Sequence, residues 1–236
     1  MQYFPFALWP RFRQGGLRLL GRLDILQVAQ LRLRIRNRQG FNPLELTLDL
    51  ARAHAPLIIE RKGLRIAFLG YNEFAPRSFE ADYDRPGIAW SEDEQVRLDL
   101  AKARSRHRAD LVIPVMHWGW EFERKGNPRQ RQLARLLIEA GADVVIGGHP
   151  HVTQDVEMYR GKPIIYSLGN FVFDGFDSPE ANTGWLLRLE LDRHGVRAWQ
   201  TVVAHIDRVG TPHPGSRSEG MCWARGMEKE QPCADN

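Results

Sequence analysis

A chain of 236 residues with 43% hydrophobic and 26% charged side chains has room for one large α/β domain or a smaller domain with appendages. The net charge of +4 is unevenly placed: residues 1–40 hold eight arginines against the single acid Asp24, so the remainder is net acidic and a nucleic-acid reading of the whole chain has little support. No apolar run approaches the roughly 20 residues that cross a bilayer, and prolines and arginines interrupt the start MQYFPFALWPRFRQGG before a signal-peptide core forms.

Residues 1–52 stand apart as an atypical, arginine-rich segment. Leucines in LRLLGRLDILQVAQLRLRIRNRQG fall near helical spacing, but arginines occupy every face with almost no acids to pair them. LRIAFLGYN (Leu64–Asn72) is a short apolar run that predicts a buried strand. A Pro- and acid-rich loop follows. Ser91 with Glu94 three residues on reads as a capping box that opens a helix. ADLVIPVMHWG is the next strand. Asn127 as N-cap, Pro128 at the first helical position, Leu133, Leu136 and Leu137 on one face and Gly141 as stop define a second helix. DVVIGG and KPIIYSLGNFVFD are further strands, and WLLRLELDRHGVRAWQTVVAHID alternates around DRHG as an antiparallel hairpin. Residues 211–236 have the Pro-, Gly- and Ser-rich composition of a loosely ordered tail. Cys222 and Cys233 lie in it; they could close one small loop but lack the spacing of a zinc clip.

Apolar strands alternating with helices imply parallel pairing, buried on both faces. In such sheets ligands gather at the carboxyl ends of the strands. His117 follows LVIPVM, and His149 and His151 follow DVVIGG, so all three fall at that end. Pro150 fixes its own φ and favours an extended conformation at His149. Three imidazoles without structural cysteines suit a borderline divalent ion such as zinc, manganese or iron. Glu121, in HWGWEF, is either an acceptor that orients an imidazole or a solvated loop acid. Asn170, in SLGNF, either bonds a ligating group or substrate or accommodates a turn with positive φ. Trp118 and Trp120 either wall the pocket or pack as a pair of aromatics.

HWGWEF, GADVVIGGHPHVTQDVEMYRGKPIIYSLGNFVFD and the upstream LIIERKGLRIAFLGYNEF together resemble the CapA family of poly-γ-glutamate capsule biosynthesis proteins, within the calcineurin-like metallophosphoesterase superfamily. The resemblance covers about residues 53–210 and starts near Ala51. It implies a metallophosphoesterase-like β-sandwich of two sheets flanked by helices, in four αββα layers, with a site for two divalent ions in an intact member. It also implies that His117 and His149 serve one ion and His151 the other. The family's Gly-Asp, Asn-x-Glu and Asn-Asn-His segments, which supply the carboxylate and the remaining ligands, have no counterpart in residues 1–52. The expectation is therefore a family domain incomplete or out of frame at its N-terminus, holding one ion or none, with weak or absent hydrolase activity and no assigned catalytic residue. Its expected partners are capsule or poly-γ-glutamate synthase components, through which any membrane association would run. The alternatives are a non-catalytic metal- or polyanion-binding component of an envelope complex and a non-functional fragment.

Overall fold

The structure is a computed structural model and describes residues 49–74, 76–174 and 176–234, with the backbone of strand β1 (Arg22–Ile25). Apart from that strand, the expectation for residues 1–48 lies outside the described residues.

The first sheet contains β2 (Leu57–Arg61), β3 (Leu64–Asn72), β4 (Leu111–His117), β5 (Val145–Gly148), β6 (Val156–Tyr159) and β7 (Lys162–Ile165), in the order β2-β3-β4-β5-β7-β6. The four inner strands β3, β4, β5 and β7 pair in parallel, as their unbroken apolar runs require. Both edges are antiparallel hairpins. Lys62 and Gly63 close one with φ of 50° and 76°, and Arg160 and Gly161 the other with 52° and 73°. Positive φ at both central residues is the twist-matched two-residue turn.

The second sheet is antiparallel, in the order β1, β8 (Thr183–Asp192), β9 (Gly195–Ile206), β11 (Met221–Ala224), β12 (Gln231–Pro232), with β10 (Pro212–Pro214) also against β9. The hairpin expected around DRHG is β8–β9. Three α-helices, α1 (Leu50–Ala53), α2 (Asp93–Ser105) and α3 (Pro128–Glu139), and two short 3-10 turns, Arg77–Phe79 and Arg217–Glu219, complete the described elements. None of them is long and apolar enough to cross a membrane.

Alternation along the inner strands builds two cores at once. Ile66, Phe68, Leu111, Ile113, Val115 and Ile146 face Leu187, Leu189, Trp199 and Trp223 of the second sheet. The intervening Ala67, Leu69, Val112, Met116 and Val145 meet Val96 and Leu100 of α2 and Leu133 and Leu137 of α3. This is the α/β sandwich expected. Among the described residues the flanking helices cover one side only, which gives three layers.

Several local expectations need correction. Ser91 does not cap α2: Glu92 stands at the N-cap without a side-chain bond, and the Ser91 hydroxyl donates instead to Glu73. Asn127 does form its box with Gln130. The stretch 211–234 is not a loose tail. It folds as β10, β11 and β12, places Trp223 in the core between the sheets, and is closed by a Cys222–Cys233 disulfide. Pairing with β9 satisfies its backbone, which composition does not reveal. Arg22–Ile25 likewise joins β8 through its backbone, so part of the arginine-rich segment enters the second sheet.

Candidate metal centre

Three parallel strands end level with one another. Asn72 closes β3 opposite His117 of β4, and His117 lies opposite Gly148 of β5. One edge therefore collects His117, the turn that carries His149 and His151, and the segment leaving β7 that carries Asn170. The His117 and His149 ring centroids are 4.5 Å apart, and those of His149 and His151 are 6.0 Å apart.

The turn itself departs from the extended form favoured by Pro150. His149 has φ +100° and His151 φ +61°. Left-handed backbone costs a non-glycine residue on the order of 1–2 kcal/mol, and such conformations collect at functional sites. The turn is held by the Phe122 N–H, which donates to the Pro150 carbonyl at 2.8 Å.

That contact also brings in a carboxylate. Ligand atoms of Glu121, His149 and His151 all lie within 4.8 Å of one another. Two ligands on one ion are at most about 4.2 Å apart, twice a bond of about 2.1 Å, so small side-chain rotations close the set. Glu121 thus joins a cluster that could hold a metal ion, where its sequence position left it either orienting an imidazole or solvated. His117 lies beside this trio, against His149, and is not one of the three.

The imidazoles are prepared in different ways. His149 Nε2 is buried without a hydrogen-bond partner. Burial, and next the neighbouring His151, lower the His149 pKa to about 4, so the ring is neutral and its lone pair free at ordinary pH. His117 is lowered to about 4 as well, first by desolvation and then by His149 and His151. His151 is held by Asn170, whose Nδ2 donates to the Ala181 carbonyl at 2.8 Å, turning Oδ1 toward His151 Nδ1 at 2.9 Å. With Nδ1–H donating there, Nε2 keeps the lone pair that an ion would take. Gly169, with φ +68°, takes the positive-φ position of this turn, so Asn170 is not there to accommodate it. Gly169 bridges to Gly184, and the Trp185 N–H donates to the Leu168 carbonyl at 2.8 Å, which stitches the Asn170 segment onto β8.

Trp118 does not reach a substrate. Its side chain is fully buried in the core on the helix side of the sheet, stacked on Tyr166, with its indole N–H donating to the Tyr166 carbonyl at 2.8 Å. Trp120 is exposed. The aromatic wall of the site is made instead by residues that the sequence reading did not single out. Phe74 packs on His149 with centroids 4.0 Å apart, and Phe173 and Phe176 pack on His151 at 5.2 and 5.1 Å. The NEF after β3 and the phenylalanine-rich NFVFDGF were the available signals. Beside the wall, Glu73 is held by Arg129 at 2.7 Å, and burial raises its pKa despite that partner.

The donor set, two imidazoles and a carboxylate with an orphaned buried nitrogen, fits a tetrahedral or five-coordinate divalent ion such as zinc, manganese or iron.

Comparison with known proteins agrees with the motifs. PGA biosynthesis protein CapA of Bacillus subtilis (strain 168) is 43% identical over 159 residues, 64% of this chain and 39% of its own length. Capsule biosynthesis protein CapA of Bacillus anthracis is 35% identical over 155 residues, 64% of this chain and 37% of its own. The chain spans about two-fifths of the length of these curated relatives. Among solved structures, the sulfate thiohydrolase SoxB of Thermus thermophilus aligns over 63% of this chain and 24% of its own with 17% identity and a TM-score of 0.42, too loose a superposition to support any argument. Residues 33–175 match the family described as bacterial capsule synthesis protein PGA_cap, from a point upstream of the Ala51 suggested by the motifs. A match that runs from before β2 through the Asn170 segment, over more than half of its length, makes this chain a member of the PGA_cap family of bacterial capsule synthesis proteins.

Proposed function

We propose that the chain serves bacterial capsule or poly-γ-glutamate biosynthesis as a metallophosphoesterase-type domain that holds one divalent ion. The observation that carries this reading is the convergence of His149, His151 and Glu121 at the carboxyl edge of the parallel strands, with His149 Nε2 buried and unpartnered. A divalent ion there would supply Lewis acidity toward a phosphoryl oxygen and a water of lowered pKa. His149 and His151 would hold it through Nε2, and Glu121 through a carboxylate oxygen. Asn170 fixes the His151 ring, and Phe74, Phe173 and Phe176 limit water at the imidazoles.

His117 lies against His149, but among the described residues it joins no second cluster of ligands. One ion and little or no phosphodiester turnover are therefore expected. The same deficit favours a second reading, a non-catalytic metal-binding component acting with synthase partners at the cell envelope. The Cys222–Cys233 disulfide supports an oxidising compartment for either.

Elemental analysis of the purified chain should find close to one zinc, manganese or iron ion, lost in His149→Ala. Two firmly bound ions, or metal-dependent turnover of bis(p-nitrophenyl) phosphate that His149→Ala removes, would replace the one-ion reading by a competent two-metal centre. No bound metal in either protein would end the metal reading.

A further inference from the structure

Two buried amides that the proposed centre does not use lie next to it. Gln130, in the first turn of α3, and Gln154, three residues past His151, are each 2% exposed. Their side chains run head to tail. The Asn127 N–H donates to Gln130 Oε1 at 2.9 Å, Gln130 Nε2 donates to Gln154 Oε1 at 2.9 Å, and Gln154 Nε2 donates to the carbonyls of Glu123 at 2.8 Å and Lys125 at 3.2 Å. Both carbonyls belong to the loop 119–126 between β4 and α3, which carries Glu121 and Phe122. The Gln154 backbone N–H donates to the Ser167 carbonyl at 3.1 Å, so the residue is anchored to the segment leaving β7. Gly119, with φ +88°, lets the loop cross the amides closely: a Cβ there would lie 2.8 Å from the Gln130 amide.

Loop residues 120–125 are exposed and only Phe122 makes a ring contact, edge-on to Phe176 at 5.5 Å, so apolar burial does little to fix the carbonyls of Glu123 and Lys125. We infer that Gln154, backed by Gln130, is a positioning residue of the metal centre, clamping the Glu121 loop against the His149–His151 turn so that the carboxylate meets the two imidazoles. An amide is needed at both positions. Each must accept on one atom and donate on the other, which neither a carboxylate nor an apolar side chain of the same length can do. Because the pair is buried, removing one member leaves polar groups unmet, and the loop is what yields.

This inference rests on reading Glu121, His149 and His151 as ligands, and its test separates the two ideas. Gln154→Met keeps length and loses the hydrogen bonds; Gln130→Met is the second variant should the first lose protection throughout the chain. Hydrogen exchange on the metal-free, full-length proteins should show amides 119–126 exchanging about 10-fold faster or more, with β4, β5 and α3 as protected as in the parent. Titration with Co²⁺ should then show affinity about 10–100-fold lower, with no further loss when Gln154→Met is added to Glu121→Ala. Unchanged exchange in the loop overturns the clamp, whether or not metal binds. Losses that multiply in the double variant overturn it too, since Gln154 would then act elsewhere than through Glu121. A parent chain that takes up no Co²⁺ overturns the ligand reading alone, and the exchange result still decides the clamp.

Discussion

His151 and Asn170 illustrate how much of a candidate ligand's chemistry is set by its neighbour. Asn170 is completely buried and oriented by the Ala181 carbonyl, so its Oδ1 selects which nitrogen of His151 keeps a proton. Asn170→Ala should lower Co²⁺ affinity about 10–100-fold, read by titration, while His151 remains in place. The two depressed histidines give a pH signature. His117 and His149 titrate at about 4 in the fold against 6.5 ordinarily, so between those values the unfolded chain binds protons that the folded chain refuses. Stability is then highest above about pH 6.5 and declines as pH falls toward 4. Thermal midpoints of the metal-free chain should drop across that window, and less steeply in the double variant His117→Gln, His149→Gln; equal slopes would place the effect on other groups. At this scale the histidines were legible because their spacing and their place after apolar runs are properties of the chain. The approach of Glu121 to them was not, since it depends on the Phe122–Pro150 contact between two loops. The left-handed φ of His149 was hidden for a related reason: proline's local preference pointed the other way, and tertiary contacts prevailed.

Among the elements, two glycines fix how closely the strands approach the site. A Cβ at Gly147 of β5 would fall on the Tyr166 carbonyl and the Trp118 indole nitrogen, and one at Gly184 of β8 on the Asn170 carbonyl oxygen. In neither case is there a flexible side-chain tip to move aside. Gly184→Ala should therefore destabilise the chain by at least about 2–3 kcal/mol in denaturant titration, and at temperatures where it still folds, Co²⁺ affinity should fall because Asn170 has shifted. Gly147→Ala should cost as much. The inner strands and α3 could be read directly from sequence: both faces of β3 and β4 are buried, and Asn127, Pro128 and Gly141 mark the ends of α3. The start of α2 misled because Ser91 is drawn to Glu73, a partner 18 residues away that no local motif reveals. Strands β2 and β6 escaped notice as hairpin edges because Lys62-Gly63 and Arg160-Gly161 lack the Asn-Gly or Asp-Gly usual in such turns.

For the molecule as a whole, the second sheet is completed by the stretch that composition assigned to a tail. The Cys222–Cys233 bond joins β11 to the segment after β12, across a sequence separation of 11. A loop of that size should be worth about 2–3 kcal/mol. Reduction, or the double variant Cys222→Ala, Cys233→Ala, should lower the thermal midpoint without changing Co²⁺ affinity, because neither cysteine touches the metal edge; a change in affinity would show that the two ends of the sandwich communicate. The overall architecture was foreseeable from alternating strands and helices together with the family motifs. The closing of the second sheet was not, because β10 to β12 are two to four residues long and carry too little pattern to register.

The stitch from Leu168 and Gly169 to Gly184 and Trp185 has a mechanical meaning. The segment that aims the His151 ring belongs to both halves of the sandwich at once, so shear of one half across the other tilts the Asn170 amide and the imidazole with it. Retention of the ion proposed at that edge would then gauge how firmly the halves are held in alignment.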